Sequence, residues 1–138
     1  KQYYVGSEQQ ALYLKLAINL LAGSTIAALA ESLAFGRKGG LDWDLMIDVM
    51  NESVIASPLL KYSLPPLKER NFQAAFAANQ MNKDLGLITA AADKIGAPSD
   101  ISQIVSDIYM AAIASGYGSE NLTAVVKEIE NKAELGEP

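Results

Sequence analysis

The 138-residue sequence predicts an all-α domain in which several helices surround one long central helix. An apolar run rich in alanine and glycine begins near Ala11 and continues to about Ala30. Along the rest of the chain, capping residues alternate with glycine and proline breaks, as between helices. Only "QYYV" at the start has the character of a strand. Half of the residues are hydrophobic, which is enough for one domain with a genuine core.

The first helix is predicted to begin after Ser7, a capping residue, and to end near Arg37, where "KGG" supplies a glycine stop. Such a helix is about 45 Å long and forms the spine of the fold. Its apolar run is also long enough to cross a bilayer. Lys15, Asn19 and the small residues that begin at Gly23 favour instead a helix closely packed by others.

Two shorter helices follow. Asp42 is the predicted cap of the second helix, which runs to about Asn51. Ser57 caps the third, and Pro58 occupies its first helical position. The third helix is expected to extend toward Ser63 and to be ended by the following "LPP", because the residue before a proline disfavours helical backbone.

Three helices complete the prediction. The first covers about residues 75–94, before the stop "IGAP". The next is capped by Ser99 or Asp100 and continues to residue 114, and the last is capped by Ser119 and continues to residue 131. The terminal "AELGEP" is expected to be a frayed, solvated tail.

Composition narrows the possible functions. Eleven lysines and arginines stand against sixteen aspartates and glutamates, so no broad basic surface is expected for nucleic acid or anionic lipid. The chain has no cysteine and no histidine, which excludes disulfides and thiol nucleophiles and removes the commonest metal ligands, so no metal site is expected. Proton chemistry must use lysine, carboxylate, tyrosine or water. The missing cysteines fit a reducing, cytoplasmic setting. The acidic charge balance and the weakly hydrophobic first helix predict no membrane partner.

Lys15 and Asn19 are four residues apart and project from the same face of the first helix. The simpler interpretation is that the lysine extends to water and the asparagine satisfies a neighbouring backbone group. The alternative is that both line a cleft, where partial burial lets the lysine act as an acid or base near neutral pH. Spacing alone leaves both open.

A second candidate cluster lies in "FAANQMNKDLGL". Helical spacing places Phe76 and Lys83 on one stripe, with Asp84 beside it. Taken alone, this pattern is typical of an ordinary amphipathic helix with solvated charges.

Together these motifs resemble the C-terminal helical domain of the beta-hydroxyacid dehydrogenases, which include 3-hydroxyisobutyrate dehydrogenase and are 6-phosphogluconate dehydrogenase-like. The resemblance rests on "YVG" before the first helix, on Lys15 with Asn19, on "KDLGL", on "GLDWDLMIDVMN" and on "GYGSENLTAVV". It covers nearly the whole chain. The lysine-asparagine spacing and the lysine-aspartate-leucine run are its most specific parts.

The resemblance implies roles for the site residues. Lys15 corresponds to the catalytic acid/base, which takes the proton of a substrate hydroxyl as hydride leaves for the nicotinamide. Asn19 corresponds to an asparagine that binds and orients substrate, and Phe76 to a residue of the cleft wall. The substrate implied is a small 3-hydroxy acid or its semialdehyde.

The resemblance also implies an NAD or NADP cofactor. Lys83 corresponds to a lysine that contacts the dinucleotide, with Asp84 positioning that lysine or its helix and Gly6 near the cofactor. The family's glycine-rich entry to the first helix is changed here, because Gln9 and Ala11 replace its later glycines.

The sequence contains no Rossmann fingerprint, which the family carries in a preceding domain. Residues 1–6 are therefore expected to be a junction with that domain, residues 7–132 the substrate and dimerisation domain, and residues 133–138 the tail. We expect a fragment of a homodimeric oxidoreductase that is inactive alone. The alternatives are a helical interaction module that has lost its chemistry, and a reductase of another carbonyl or an imine.

Overall fold

The computed structural model describes residues 2–138 and confirms the all-α fold class. Within this range the α-helices are α1 (Glu8–Lys38), α2 (Trp43–Glu52), α3 (Pro58–Lys68), α4 (Ala78–Ile95), α5 (Asp100–Ala112) and α6 (Val125–Lys132). A π-helical turn, Ile113–Tyr117, and a 3₁₀ turn, Leu122–Ala124, join α5 to α6. The segment "QYYV" is not a strand, and β-pairing in residues 2–138 is limited to a bridge between Ala77 and Asn121.

Helix α1 is the central element, as predicted, and contacts α2, α4, α5 and α6. Ser7 caps it in a reciprocal arrangement in which the Gln10 side chain accepts from the Ser7 N–H at 2.7 Å. Its buried face includes Ile26 and Leu33. At Gly23 an added Cβ would lie 2.8 Å from Met81 Sδ, so the absence of a side chain allows α4 to approach closely.

Helix α1 is also the helix of residues 2–138 that is long and apolar enough to cross a membrane. Of its most apolar stretch, 28% is buried inside the protein. Length and composition are weak evidence for a membrane span, because the core helix of a soluble protein meets the same criterion.

Helix α2 begins as predicted, with the Asp42 carboxylate accepting from the Leu45 N–H at 2.9 Å. Helix α3 also begins as predicted, but its predicted end is wrong, because it continues through Pro65 and Pro66 to Lys68. Because proline has no N–H, the carbonyls of residues 61 and 62 lose their helical hydrogen bonds. Both residues are exposed, so water can supply the missing donors. Leu64 and Leu67 are fully buried on the opposite side and hold the last turn against the core.

Helix α4 begins at Ala78, three residues later than predicted. The loop before α4 forms backbone hydrogen bonds with the segment before α6 rather than a further helical turn. The Asn121 N–H donates to the Phe72 carbonyl and the Leu122 N–H to the Phe76 carbonyl, both at 2.9 Å. Because these backbone groups pair across the two loops, residues 72–77 cannot form the first turn of the helix.

The C-terminal third differs from the prediction in three places. Helix α5 ends at Ala112 rather than at residue 114, and the π-helical turn that follows contains Gly116 at a φ of 94°. The last helical segment is capped by Asn121, not by Ser119, since the Asn121 side chain accepts from the Thr123 N–H at 3.1 Å. The tail is held at the end of α1, where Arg37 donates to the Gly136 carbonyl at 2.7 Å.

Candidate active site

The candidate site lies where α1 crosses α4, about two turns from the start of α1. Lys15 and Asn19 occupy successive turns of α1 and lie on one face of it, as their spacing predicted, and both side chains reach α4. The cap at Ser7 fixes the register of the helix, so these two positions are held relative to its start.

Asp84 of α4 joins the two side chains. Its Oδ1 accepts from Lys15 Nζ and its Oδ2 accepts from Asn19 Nδ2, each at 2.5 Å. Asp84 is buried and its side chain is 10% exposed, whereas the Lys15 side chain is 50% exposed. A carboxylate that is fixed in the protein thus orients a cation that still faces solvent.

This arrangement leaves hydrogen-bonding capacity open toward solvent. Lys15 keeps two of the three donors of an ammonium group, and Asn19 keeps its amide oxygen free of any partner in residues 2–138. A substrate hydroxyl can therefore accept from Lys15 or donate to the Asn19 amide oxygen, and a substrate carbonyl can accept from Lys15, without breaking the contacts to Asp84. A lysine held in this way can transfer a proton to or from such a group.

Lys83 lies on the exposed side of α4, and the structure gives it no ion pair with any residue of the described range. It precedes Asp84, whose carboxylate binds Lys15 and Asn19 and so holds α4, the helix that carries Lys83, against α1. Adjacent helical residues point about 100° apart, which explains why the two do not pair.

Gly6 and Phe76 lie outside the contacts of Asp84. Gly6 precedes the cap of α1 with a φ of +96°, and an added Cβ would meet the Gln10 side chain, so this position requires glycine. Phe76 is half-buried in the loop before α4 and packs against the core. Its predicted place on a helical stripe with Lys83 is wrong, because the helix begins only at Ala78.

A buried charge cluster was not found from the sequence. Glu130 is 3% exposed. Its carboxylate accepts a hydrogen bond from Arg37 at 2.6 Å and from the two terminal nitrogens of Arg70 at 3.0 and 2.9 Å. Both guanidinium groups also lie over the Trp43 ring, at 5.8 and 5.3 Å from its centroid. The sequence does show two arginines beside apolar segments of an acidic chain, which could have indicated such a cluster. Their shared partner, Glu130, is too far away in sequence to be recognised from spacing. The cluster links three segments and is structural.

An apolar groove of about 720 Å³ runs beside the candidate site, between α1 and the segment from the end of α2 to the start of α3. Its lining includes Ile18, Leu21 and Ile55, which are 59%, 71% and 56% exposed. Exposed apolar surface of this extent is typical of an interaction site.

The structure defines an all-α domain whose long central helix presents a lysine and an asparagine to a buried aspartate of a second helix. Comparison with known proteins identifies the family. Residues 10–129 match the model described as "NAD-binding of NADP-dependent 3-hydroxyisobutyrate dehydrogenase". The chain belongs to this family, which confirms the resemblance found in the sequence. The matched description is also consistent with NAD or NADP as the cofactor class.

Named relatives agree with this assignment. The chain is 31% identical to L-threonate dehydrogenase of Cupriavidus necator, covering 97% of this chain and 47% of the relative. It is 24% identical to glyoxylate/succinic semialdehyde reductase 2, chloroplastic, of Arabidopsis thaliana, covering 94% of this chain and 36% of the relative. These curated relatives are dehydrogenases or reductases, and the chain spans less than half of their length.

A solved structure confirms the fold. The crystal structure of 3-hydroxyisobutyrate dehydrogenase from Salmonella typhimurium superposes with a TM-score of 0.78 at 29% identity. The match covers 83% of this chain and 40% of that chain.

Proposed function

We propose that this chain forms the helical substrate domain of an NAD(P)-dependent oxidoreductase. The reaction transfers hydride between a nicotinamide and a small 3-hydroxy acid or its semialdehyde. The observation that carries the proposal is the contact of Lys15 and Asn19 with one buried carboxylate, at 2.5 Å each, in a chain of this family. The names of the dehydrogenase and reductase relatives support the substrate class.

Lys15 is the proposed acid/base. When bound, the nicotinamide supplies the hydride acceptor for oxidation or the hydride donor for reduction. In oxidation Lys15, as the amine, takes the proton of the substrate hydroxyl while the carbon-hydrogen bond is broken and the carbonyl forms. In reduction the Lys15 ammonium group returns that proton to the carbonyl oxygen. Asn19 orients the substrate through its free amide oxygen, and Asp84 fixes both side chains.

The chain offers part of the dinucleotide site. Lys83 presents an exposed ammonium group without an ion pair in the described range, which fits a contact with a cofactor. Gly6 keeps the backbone before α1 free of a side chain, and Phe76 fits the cleft wall. We propose that a Rossmann domain outside these 138 residues holds most of the cofactor, as the partial coverage of the relatives supports. The domain limits are then the junction at 1–6, the helical domain at 7–132 and the tail at 133–138.

The test of the acid/base role uses the full-length protein with a panel of small 3-hydroxy acids and semialdehydes and both nicotinamides. Lys15→Ala should lower kcat by about 10²-fold or more, because general acid/base catalysis contributes that much. Lys94→Ala, at an exposed lysine of α4, is the matched control and should leave kcat unchanged. Lys83→Ala should raise the KM for the cofactor instead. An unchanged kcat in the Lys15 variant would remove the catalytic assignment.

We further propose a homodimer in the cytoplasm, with a second copy covering the apolar groove beside α1. The exposed Ile18, Leu21 and Ile55 support an apolar contact of this kind. Leu21→Glu should convert the dimer to a monomer in sedimentation-velocity ultracentrifugation, while Glu31→Gln on the exposed surface of α1 should not. A wild-type protein that sediments as a monomer would contradict the dimer.

The alternative function is a helical interaction module without chemistry, or a reductase of another carbonyl or an imine. These alternatives are favoured by the start of α1, where Gln9 and Ala11 stand in place of the family's glycines. The Gln9 side chain donates to the Tyr13 hydroxyl at 3.1 Å, and Ala11 is exposed. Calorimetric titration of the full-length protein with NADH and NADPH separates the cases. No binding of either would favour the interaction module, and binding without turnover on the panel would favour another substrate.

A further inference from the structure

A second cavity, lined by both polar and apolar groups, lies away from the contacts of Lys15. It has a volume of about 420 Å³ and lies between the second half of α3, the loop that follows α3 and the turn that begins at Asn121. Asn71, Asn121 and Ser63 contribute polar groups to its lining, which contains no charged residue from the described range 2–138. None of the residues that line it belongs to the candidate active site.

The walls of this cavity are fixed by backbone hydrogen bonds. The Asn71 N–H donates to the Pro66 carbonyl at 2.8 Å, which attaches the loop to the end of α3. The Asn121 N–H donates to the Phe72 carbonyl at 2.9 Å, which attaches the same loop to the turn before α6. The cavity therefore has a preformed shape, as small-molecule sites usually do.

Both asparagine side chains are oriented by the backbone. The Asn71 amide oxygen accepts from the Gln73 N–H at 3.0 Å, and the Asn121 amide oxygen accepts from the Thr123 N–H at 3.1 Å. The oxygen atoms are thus already used, so each side chain retains its two N–H donors. Neither NH₂ group donates to another part of residues 2–138.

Ser63 adds a hydroxyl at the cavity wall. The residue is 7% exposed, and its side chain forms no hydrogen bond with the part of the chain that the structure describes. Its oxygen is not among the described side-chain atoms that are both fully buried and unpaired, so it remains open to the cavity. The hydroxyl can therefore pair with a group that enters the cavity.

We propose that this cavity is a second binding site for a small hydroxy acid, separate from the site at Lys15. A carboxylate accepts through about four lone-pair positions, which complement the four N–H donors of Asn71 and Asn121. The hydroxyl of the ligand then pairs with Ser63. No aspartate or glutamate of residues 2–138 lines the cavity, so no lining carboxylate of that range repels an anion. This proposal does not depend on catalysis at Lys15.

The test is a titration of the ¹⁵N-labelled protein with sodium glycerate, followed by NMR, with sodium chloride at matched concentrations as the blank. The side-chain NH₂ signals of Asn71 and Asn121 should shift and saturate together. Asn71→Asp and Asn121→Asp retain the oxygen that accepts from the backbone but remove the N–H donors, so each should weaken binding about tenfold or more. Ser63→Ala is a milder variant for use if either aspartate variant does not fold, and it should weaken binding severalfold.

Glycerol is the matched neutral probe, because it keeps the hydroxyl groups and lacks the carboxylate. It should produce no saturable shift of the two NH₂ signals over the same concentration range. Equal saturation by glycerol, or no saturation by glycerate, would overturn the proposal. Shifts confined to Lys15, Asn19 and Asp84 would overturn it as well, while supporting substrate binding at the candidate active site.

Discussion

At the scale of single residues, Asp84 determines how the candidate site is built. It is buried at the crossing of α1 and α4 and gives one carboxylate oxygen to Lys15 and the other to Asn19. Lys15 is half-exposed, so this ion pair contributes no more than about 1 kcal/mol to stability. Its larger effect is to hold two side chains in one geometry, which makes Asp84 a positioning residue.

Asp84→Asn tests this role, because it keeps the size of the side chain but removes the charge and one of the two acceptors. In the full-length protein, kcat/KM should fall about 10- to 100-fold, since small displacements of a catalytic group are costly. The midpoint of urea unfolding should change little. Asp93→Asn, at an exposed aspartate on the same helix, is the control. Equal kcat/KM for the Asp84 variant and wild type would show that Asp84 does not position the acid/base.

The sequence predicted one half of this site and not the other. The common face of Lys15 and Asn19 follows from helical periodicity, which is local. Their contact with Asp84 joins residues 69 and 65 positions apart and depends on how two helices cross. No spacing rule reports that crossing. For this reason the sequence related Asp84 to its neighbour Lys83 or its helix and did not predict its contacts with Lys15 and Asn19.

At the scale of elements, boundaries that depend on local capping and stop signals were predicted, whereas boundaries that depend on contacts with distant parts of the chain were not. Ser7, Asp42 and Ser57 all cap as predicted, because each cap depends on a side chain and an N–H three residues later. The predicted end of α3 and the predicted start of α4 were wrong because contacts with distant parts of the chain determine both boundaries. Burial of Leu64 and Leu67 maintains α3 past its prolines.

The prolines of α3 lead to a stability prediction. Pro65→Ala should raise the free energy of unfolding by about 1 kcal/mol or more, because it restores the hydrogen bond to the carbonyl of Lys61 in the helix interior. Pro58→Ala is the matched control at the first helical position, where proline is favoured, and it should bring no gain. Urea unfolding monitored by circular dichroism measures both. A Pro65 variant that is no more stable than wild type would show that the helix does not need this bond.

At the scale of the whole molecule, the charge cluster at Glu130 joins both ends of the fold. Arg37 comes from the end of α1, Arg70 from the loop after α3 and Glu130 from α6. The Trp43 ring beneath both arginines adds the start of α2. Three segments that are far apart in sequence therefore meet at one carboxylate. Their contacts hold α6 and the tail against the central helix that carries Lys15.

Removing this carboxylate should destabilise the entire domain. Glu130→Ala leaves two guanidinium groups unpaired next to the core and should lower the free energy of unfolding by about 3–5 kcal/mol. Because α1 contacts α2, α4, α5 and α6, the loss should appear as a lower midpoint of one cooperative urea transition followed by circular dichroism. Glu134→Ala, at an exposed carboxylate of the tail, is the control and should change the midpoint little. A Glu130 variant with an unchanged midpoint would mean that apolar burial alone holds α6 on α1. The cluster would then contribute neither to the stability of the domain nor to the position of α1, which carries Lys15.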